Sequence, residues 1–412
     1  TGVWPSVAFL LAIFGFGAKA GLLPMHVWLP EAHPAAPSPV SALMSGVMLK
    51  TAIYALLRVT FDLLHTQLWW WGVAALGLGL LTALFGVIFA AAQTDMKRLL
   101  AYSSIENIGI IVAGIGLTIL FNAYGKTLLA AVALTAVLYH CLNHAMFKTL
   151  LFLVTGAVLH STRERSLGKL GGLIHRMPWV AWLALVGTLA IAGLPPLNGF
   201  VSEWLLLQAF LFTPTLPQSF VNMLVPLAAG ALVLAAALAA YVMVKFYGVI
   251  FLGRPREANL ANAHDAGGLE RVGLIWLALG CVLLGLFPVN VIQTLDPINT
   301  LLVGSTVGHA ADTNWLLLAP IDANRASYSP MIVLVVIVTV VLLTVQLVHR
   351  YYHGRRRATP AWNCGSPVQT PRMQDSAEGF GQPIRQVFEP FFRMTRHLPT
   401  AFDAAPRYCV TI

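Results

Sequence analysis

Charge is what this sequence has least of. Asp, Glu, Lys and Arg together make up 10 % of its 412 residues, where soluble domains carry about 25 %. With 58 % hydrophobic residues and a mean hydropathy of +0.76, that shortage excludes an ordinary water-soluble fold. It predicts an all-α polytopic membrane protein whose first partner is the lipid bilayer. Cysteine is scarce as well. Cys141, Cys281, Cys364 and Cys409 are scattered, with no Cys-x-x-Cys pair and no His/Cys cluster at ligand spacing, so no metal site is read from them. There is no glycine-rich phosphate loop of the Walker or dinucleotide type, and no nucleophile with a base beside it. The expectation is a chain with no catalytic residue, no metal and no cofactor of its own, any redox group belonging to a different chain. A net charge of +9 does not imply nucleic acid, because the positive residues fall in short loops between apolar runs. Thr1 is not a start methionine, and the chain enters an apolar span with no signal-peptide n-region. It reads as part of a longer protein.

What is present is a series of apolar runs. Nine predicted spans cover residues 7–28, 42–57, 68–92, 104–121, 128–159, 179–212, 223–251, 274–292 and 331–348. Basic residues follow every second span: Lys97 and Arg98; Arg163, Arg165, Lys169 and Arg176; Arg254 and Arg256; Arg350 with Arg355, Arg356 and Arg357. The positive-inside rule then places Thr1 outside and the tail with Cys364 inside, and an odd span count agrees with opposite ends. Trp69, Trp70 and Trp71 read as an interfacial aromatic belt.

Two spans are predicted to be broken. Lys19-Ala-Gly-Leu-Leu-Pro24 places glycine and proline in mid-membrane after a lysine taken as buried. Gly193-Leu-Pro-Pro-Leu-Asn-Gly199 interrupts the sixth run just before Glu203. Proline removes a helical hydrogen bond, and the freed backbone is tolerated at that depth only beside protein or water. Paired breaks in corresponding positions point to a transport site built from repeats. The fifth span carries the strongest signal. His140, His144 and Lys148 are spaced four and four, which puts them on one helical face, about 6 Å apart along the axis. Lysine in hydrocarbon costs about 2.5–3.5 kcal/mol on insertion scales, and such residues mark ion or proton paths. Lys50, two turns inside Arg58, and Glu203 sit in comparable places. Glu106 is read two ways, as functional or as a partner for Arg98.

These stretches resemble a known family. The run from Lys19 through Leu-Pro-Met-His-Val-Trp-Leu-Pro-Glu-Ala-His-Pro to Lys50 is similar to the antiporter-like, proton-translocating subunits of respiratory complex I. Those subunits are related to the membrane subunits of group 4 NiFe hydrogenases and to multisubunit Na+/H+ antiporters. Lys97-Arg-Leu-Leu-Ala-Tyr-Ser103, Leu142-Asn-His144-Ala-Met-Phe-Lys148 and Leu194-Pro-Pro-Leu-Asn-Gly-Phe-Val-Ser-Glu203 agree with it. The tail segments Ala361-Trp-Asn-Cys-Gly365 and Gly379-Phe-Gly-Gln-Pro-Ile-Arg-Gln-Val-Phe388 resemble the hydrogenase-4 and formate hydrogenlyase branch. Complex I proper and an antiporter subunit are the alternatives. The resemblance implies inverted repeats with broken transmembrane helices. The expected divisions are 1–62 as the end of a first repeat, 63–253 as a second, 254–348 as additional spans and 349–412 as a cytoplasmic tail. It also implies a proton pathway of Lys19, Lys50, His140, His144, Lys148 and Glu203. The family's partner glutamate for the first lysine lies on an earlier helix, which this sequence does not include. Expected partners are other membrane subunits and peripheral NiFe hydrogenase and iron–sulfur subunits, with no nucleic acid, in a multi-pass bacterial inner membrane protein.

Overall fold

The structure, a computed structural model, describes residues 3–64, 67–307, 317–321, 327–352, 359, 362, 364–365, 370–371, 373–392, 395–397 and 409–411. Arg355, Arg356, Arg357, Ala361 and Asn363 lie outside the described residues. The helices are α1 Val3–Ala20, α2 Trp28–Ala35, α3 Ser38–Leu43, α4 Leu49–Leu57, α5 Trp69–Ala92, α6 Met96–Ala123 and α7 Thr127–Thr162. They continue with α8 Pro178–Ile191, α9 Asn198–Leu211, α10 Ser219–Phe251, α11 Gly268–Leu286, α12 Pro288–Val303, α13 Pro330–Tyr351 and α14 Ala377–Val387. Among the described residues, eight helical stretches are long and apolar enough to cross a membrane. The sixth expected span, 179–212, falls on the two shorter helices α8 and α9 on either side of the second break.

Both expected breaks are present. Gly21 takes a left-handed φ of +85° and Gly193 one of +64°, a region glycine enters at no steric cost. Across the first break Trp28 Nε1 donates to Ala18 O at 2.9 Å, serving a last-turn carbonyl of α1. A further interruption escaped the sequence reading. Residues 274–292, expected as one span, fall on two helices, because Pro288 has no N–H to continue α11 and opens α12 instead.

The core is α6 and the helices on either side of it. From Met96 to Phe121 only Arg98 and Tyr102 are not buried. Glycines at heptad spacing allow this. Gly72, Gly79 and Gly86 of α5 face α6 backbone: an added Cβ would lie 2.6 Å from Gly116 O, 2.7 Å from Gly109 O and 2.9 Å from Glu106 Cα respectively. Small residues in register let two membrane helices approach to backbone contact. The tryptophan belt needs correction. Trp69 lies at the rim, but Trp71 is fully buried, stacked on Phe9 at 4.7 Å and donating to Ser6 Oγ at 3.2 Å. Successive residues turn by about 100° on a helix, so three in a row cannot all face outward.

The basic loops gather at one end. Asp95 caps α6 by accepting from Lys97 N at 2.8 Å and Arg98 N at 3.1 Å, and it pairs with Arg165 at 3.0 Å. Leu167 N donates to Thr94 O at 2.8 Å, and Gly172 N to Leu252 O at 2.8 Å. The tail helix α14 docks on the same end: Arg385 Nη2 donates to Ala92 O at 2.7 Å, and Tyr241 OH to Phe380 O at 2.6 Å. Lys97, one of the basic residues that follow the third span, is buried and donates to Ala36 O at 2.8 Å. It caps the negative C-terminal end of α2. With this end on the cytoplasmic side, a membrane-impermeant thiol reagent added to intact cells is expected to miss Cys364, which is exposed. Labelling of Cys364, with internal control cysteines unlabelled, would reverse the orientation.

Candidate functional site: a buried row of ionisable side chains

The site is assembled around α7. At 36 residues this helix is about 54 Å long at 1.5 Å per residue, so its middle lies deep in the bundle. Lys148 there is fully buried. Its Nζ donates to Leu100 O at 2.9 Å and to Ser103 Oγ at 2.8 Å, both on α6. One turn earlier His144, also fully buried, holds the Lys50 ammonium through its Nδ1. Its Nε2 has no hydrogen-bond partner. A further turn back, His140 bonds Ser202 Oγ through Nδ1 at 3.0 Å and Asn107 Oδ1 through Nε2 at 3.1 Å. Asn107 Nδ2 is already spent on Ser103 O at 2.8 Å, so Oδ1 faces the ring and His140 donates from Nε2.

Lys50 reaches His144 for a local reason. Its span changes to a π-helical segment over Met44–Met48, and such a bulge redirects backbone carbonyls. Ser45 O, in that segment, accepts from Lys50 Nζ at 2.6 Å. Gly46 sits hard against Thr149, leaving no room for a side chain between the two helices. The half-buried ammonium is thereby held between a carbonyl and an imidazole.

The second break closes the other side of the row. Asn143 Nδ2 donates to Asn198 O at 2.7 Å and Ser202 Oγ at 2.9 Å, tying α7 to the first turn of α9. Glu203 folds its carboxylate over the break: a Cβ on Gly193 would lie 2.6 Å from Glu203 Oε2. Gly193 is thus required twice, by its φ and by the carboxylate. Glu106 belongs to the same group. It is buried, its Oε2 is unpartnered, and it interacts electrostatically with Lys148 and with Glu203. Arg98 is engaged elsewhere, bonding Glu31 Oε1 at 2.6 Å, which removes the ion-pair reading of Glu106.

Five of the six residues singled out from sequence therefore meet: Lys50, His140, His144, Lys148 and Glu203. Lys19 does not. It is exposed at the last turn of α1, off the face by which Phe9, Gly17 and Ala20 pack inward. Burial had been inferred from the apolar run alone, and the helix rotation decides otherwise. Sequence reading also passed over Lys245. The ammonium is buried in α10 and donates to Ala91 O at 2.7 Å and Gln93 O at 2.6 Å. It serves the carbonyl end of α5 rather than the row. The signal was there, since Lys245 is a lone charge in an apolar run like Lys50.

The chain as a whole is similar to known proteins. Residues 4–216 match the family model described as NADH:quinone oxidoreductase/Mrp antiporter, TM. Hydrogenase-4 component B of Escherichia coli (strain K12) is 39 % identical over 399 residues, covering 95 % of this chain and 59 % of that protein. Formate hydrogenlyase subunit 3 of the same strain is 36 % identical over 393 residues, 95 % of this chain and 61 % of that one. Among solved structures, a chain of the membrane-bound sulfane sulfur reductase, an archaeal respiratory membrane complex, superimposes with a TM-score of 0.74 at 26 % identity. That match covers 94 % of this chain and 60 % of the other. The chain spans about three fifths of the length of the curated relatives it matches. Since the matched segment takes in more than half of its residues, the chain belongs to the NADH:quinone oxidoreductase/Mrp antiporter transmembrane family.

Proposed function

We propose that this chain is the proton-translocating membrane subunit of a complex of the hydrogenase-4 and formate hydrogenlyase type. In this reading it has no redox centre of its own and sits in a bacterial inner membrane. It works with other membrane subunits and is driven by peripheral NiFe hydrogenase and iron–sulfur subunits. The observation that carries the reading is the series of half-buried Lys50 with buried His144 and Lys148 one turn apart on α7, flanked by His140, Glu106 and Glu203. Unpaired charges are costly at such depth. A proton moving from one member to the next relieves one site and charges another. His144 is suited to pass it, with Lys50 on one ring nitrogen and the other nitrogen open. Lys19 joins the path in this reading from the first broken helix.

The test uses sealed vesicles holding the whole complex. With sodium omitted, hydrogenase turnover is expected to drive proton movement that an uncoupler collapses. Proton movement that requires a sodium gradient, and proceeds without the redox subunits, would replace this reading by an antiporter one.

A further inference from the structure

Between the row and the basic end stands a buried histidine to which neither the spacing of the row nor the family match assigns a role. His33, on the short helix α2, is 0 % exposed, and both of its ring nitrogens lack hydrogen-bond partners. A buried imidazole with both polar atoms unmatched is poorly suited to a packing role, because an apolar ring of the same size fills the space without stranding them. Its position supplies a different reason. The ring stacks on Phe152 at 4.6 Å and 16°, and Phe152 follows Lys148 by one turn of α7. His33 therefore occupies the next step of the face that carries His140, His144 and Lys148. Three residues on from His33, at the C-terminal end of α2, Ala36 O is held by Lys97 of the basic end. The charged groups acting on the ring are Lys148 from α7 and Lys97 from α6. Glu31, on α2 itself, is engaged by Arg98. Ser41 Oγ donates to His33 O at 2.9 Å, which fixes the backbone and leaves the ring free.

We propose that His33 is the relay by which protons pass between Lys148 and the basic end of the bundle, an inference that rests on the proton-path reading above. The transfer is a pair of hops with no other bond altered. One ring nitrogen takes the proton that the Lys148 ammonium gives up, and the other releases its own towards the Lys97 end. Transfer in the opposite direction reverses both hops.

The decisive variant is His33→Phe in the whole complex, reconstituted in vesicles. Phenylalanine keeps the stack on Phe152 and loses no hydrogen bond, so a packing role predicts wild-type assembly and wild-type proton uptake. The relay predicts wild-type assembly, thermal stability equal or higher, and proton uptake lower by about tenfold or more. Should His33→Phe fail to assemble, His33→Gln, polar but not ionisable, carries the same test. Wild-type uptake in the assembled variant overturns the relay. If Lys148→Met also pumps normally, the proton-path reading itself has failed, so the two failures are separable.

Discussion

Lys148→Arg is expected to enter the membrane and assemble normally while proton uptake by the complex falls by about tenfold or more. The lysine is fully buried, and its ammonium is held by Leu100 O and Ser103 Oγ of α6. Those acceptors serve an arginine as well, so the charge is kept. The ability to lose it is not, because a guanidinium does not deprotonate in proteins. Lys148→Met is the complementary variant. It removes a charge that is costly to bury, so accumulation at or above the wild-type level is expected, and it should be equally unable to pass protons. Arg350→Lys, at the exposed end of α13, is the silent control. Wild-type proton uptake by both Lys148 variants would reduce this lysine to a core residue.

The largest structural effect is expected at Gly79. A side chain there would enter the backbone of α6 at Ala113, with Gly109 O 2.7 Å from the first added atom. Gly109 meets α5 reciprocally, its own Cβ falling 2.6 Å from Gly79 O. Neither helix can yield locally, because backbone rather than a flexible side chain stands in the way. Gly79→Val should therefore cost about 3 kcal/mol or more and leave little folded chain in the membrane. Gly77, two residues away on the same helix, has nothing within 4 Å of an added Cβ. Gly77→Ala should be neutral or slightly stabilising, by about 0.5–1 kcal/mol. Detergent-solubilised yield and thermal unfolding of the complex read both effects. Equal yields for the two variants would show that close contact between α5 and α6 is not what holds the centre together.

Much of the site was legible because its signal is local. His140, His144 and Lys148 repeat every four residues, and a helix turns that spacing into a face whatever surrounds it. The breaks at Gly21 and Gly193 were legible because proline removes its bond in any context. Glu106 was left between two readings, since sequence does not record that Arg98 lies beside Glu31. Lys19 and Lys97 show what the sequence does not record. An apolar run implies a buried Lys19, which is exposed, while Lys97, in a basic loop after the third span, is a buried cap.

The sequence by itself determined most of the spans, the places where two of them break, the loops that carry the positive charge, and one ionisable face on α7. Each depends on composition or on the period of a single helix, properties that a stretch of chain carries before it packs. Only the tertiary structure decided which groups meet that face: Ser103 and Glu106 from α6, Lys50 through its π segment, Glu203 folded over Gly193, and His33 from α2. These pairings depend on how neighbouring helices are rotated and shifted along one another. That rotation and shift are set by glycine contacts such as Gly79 with Gly109 and Gly46 with Thr149, in which the residue that matters is the one with no side chain to show.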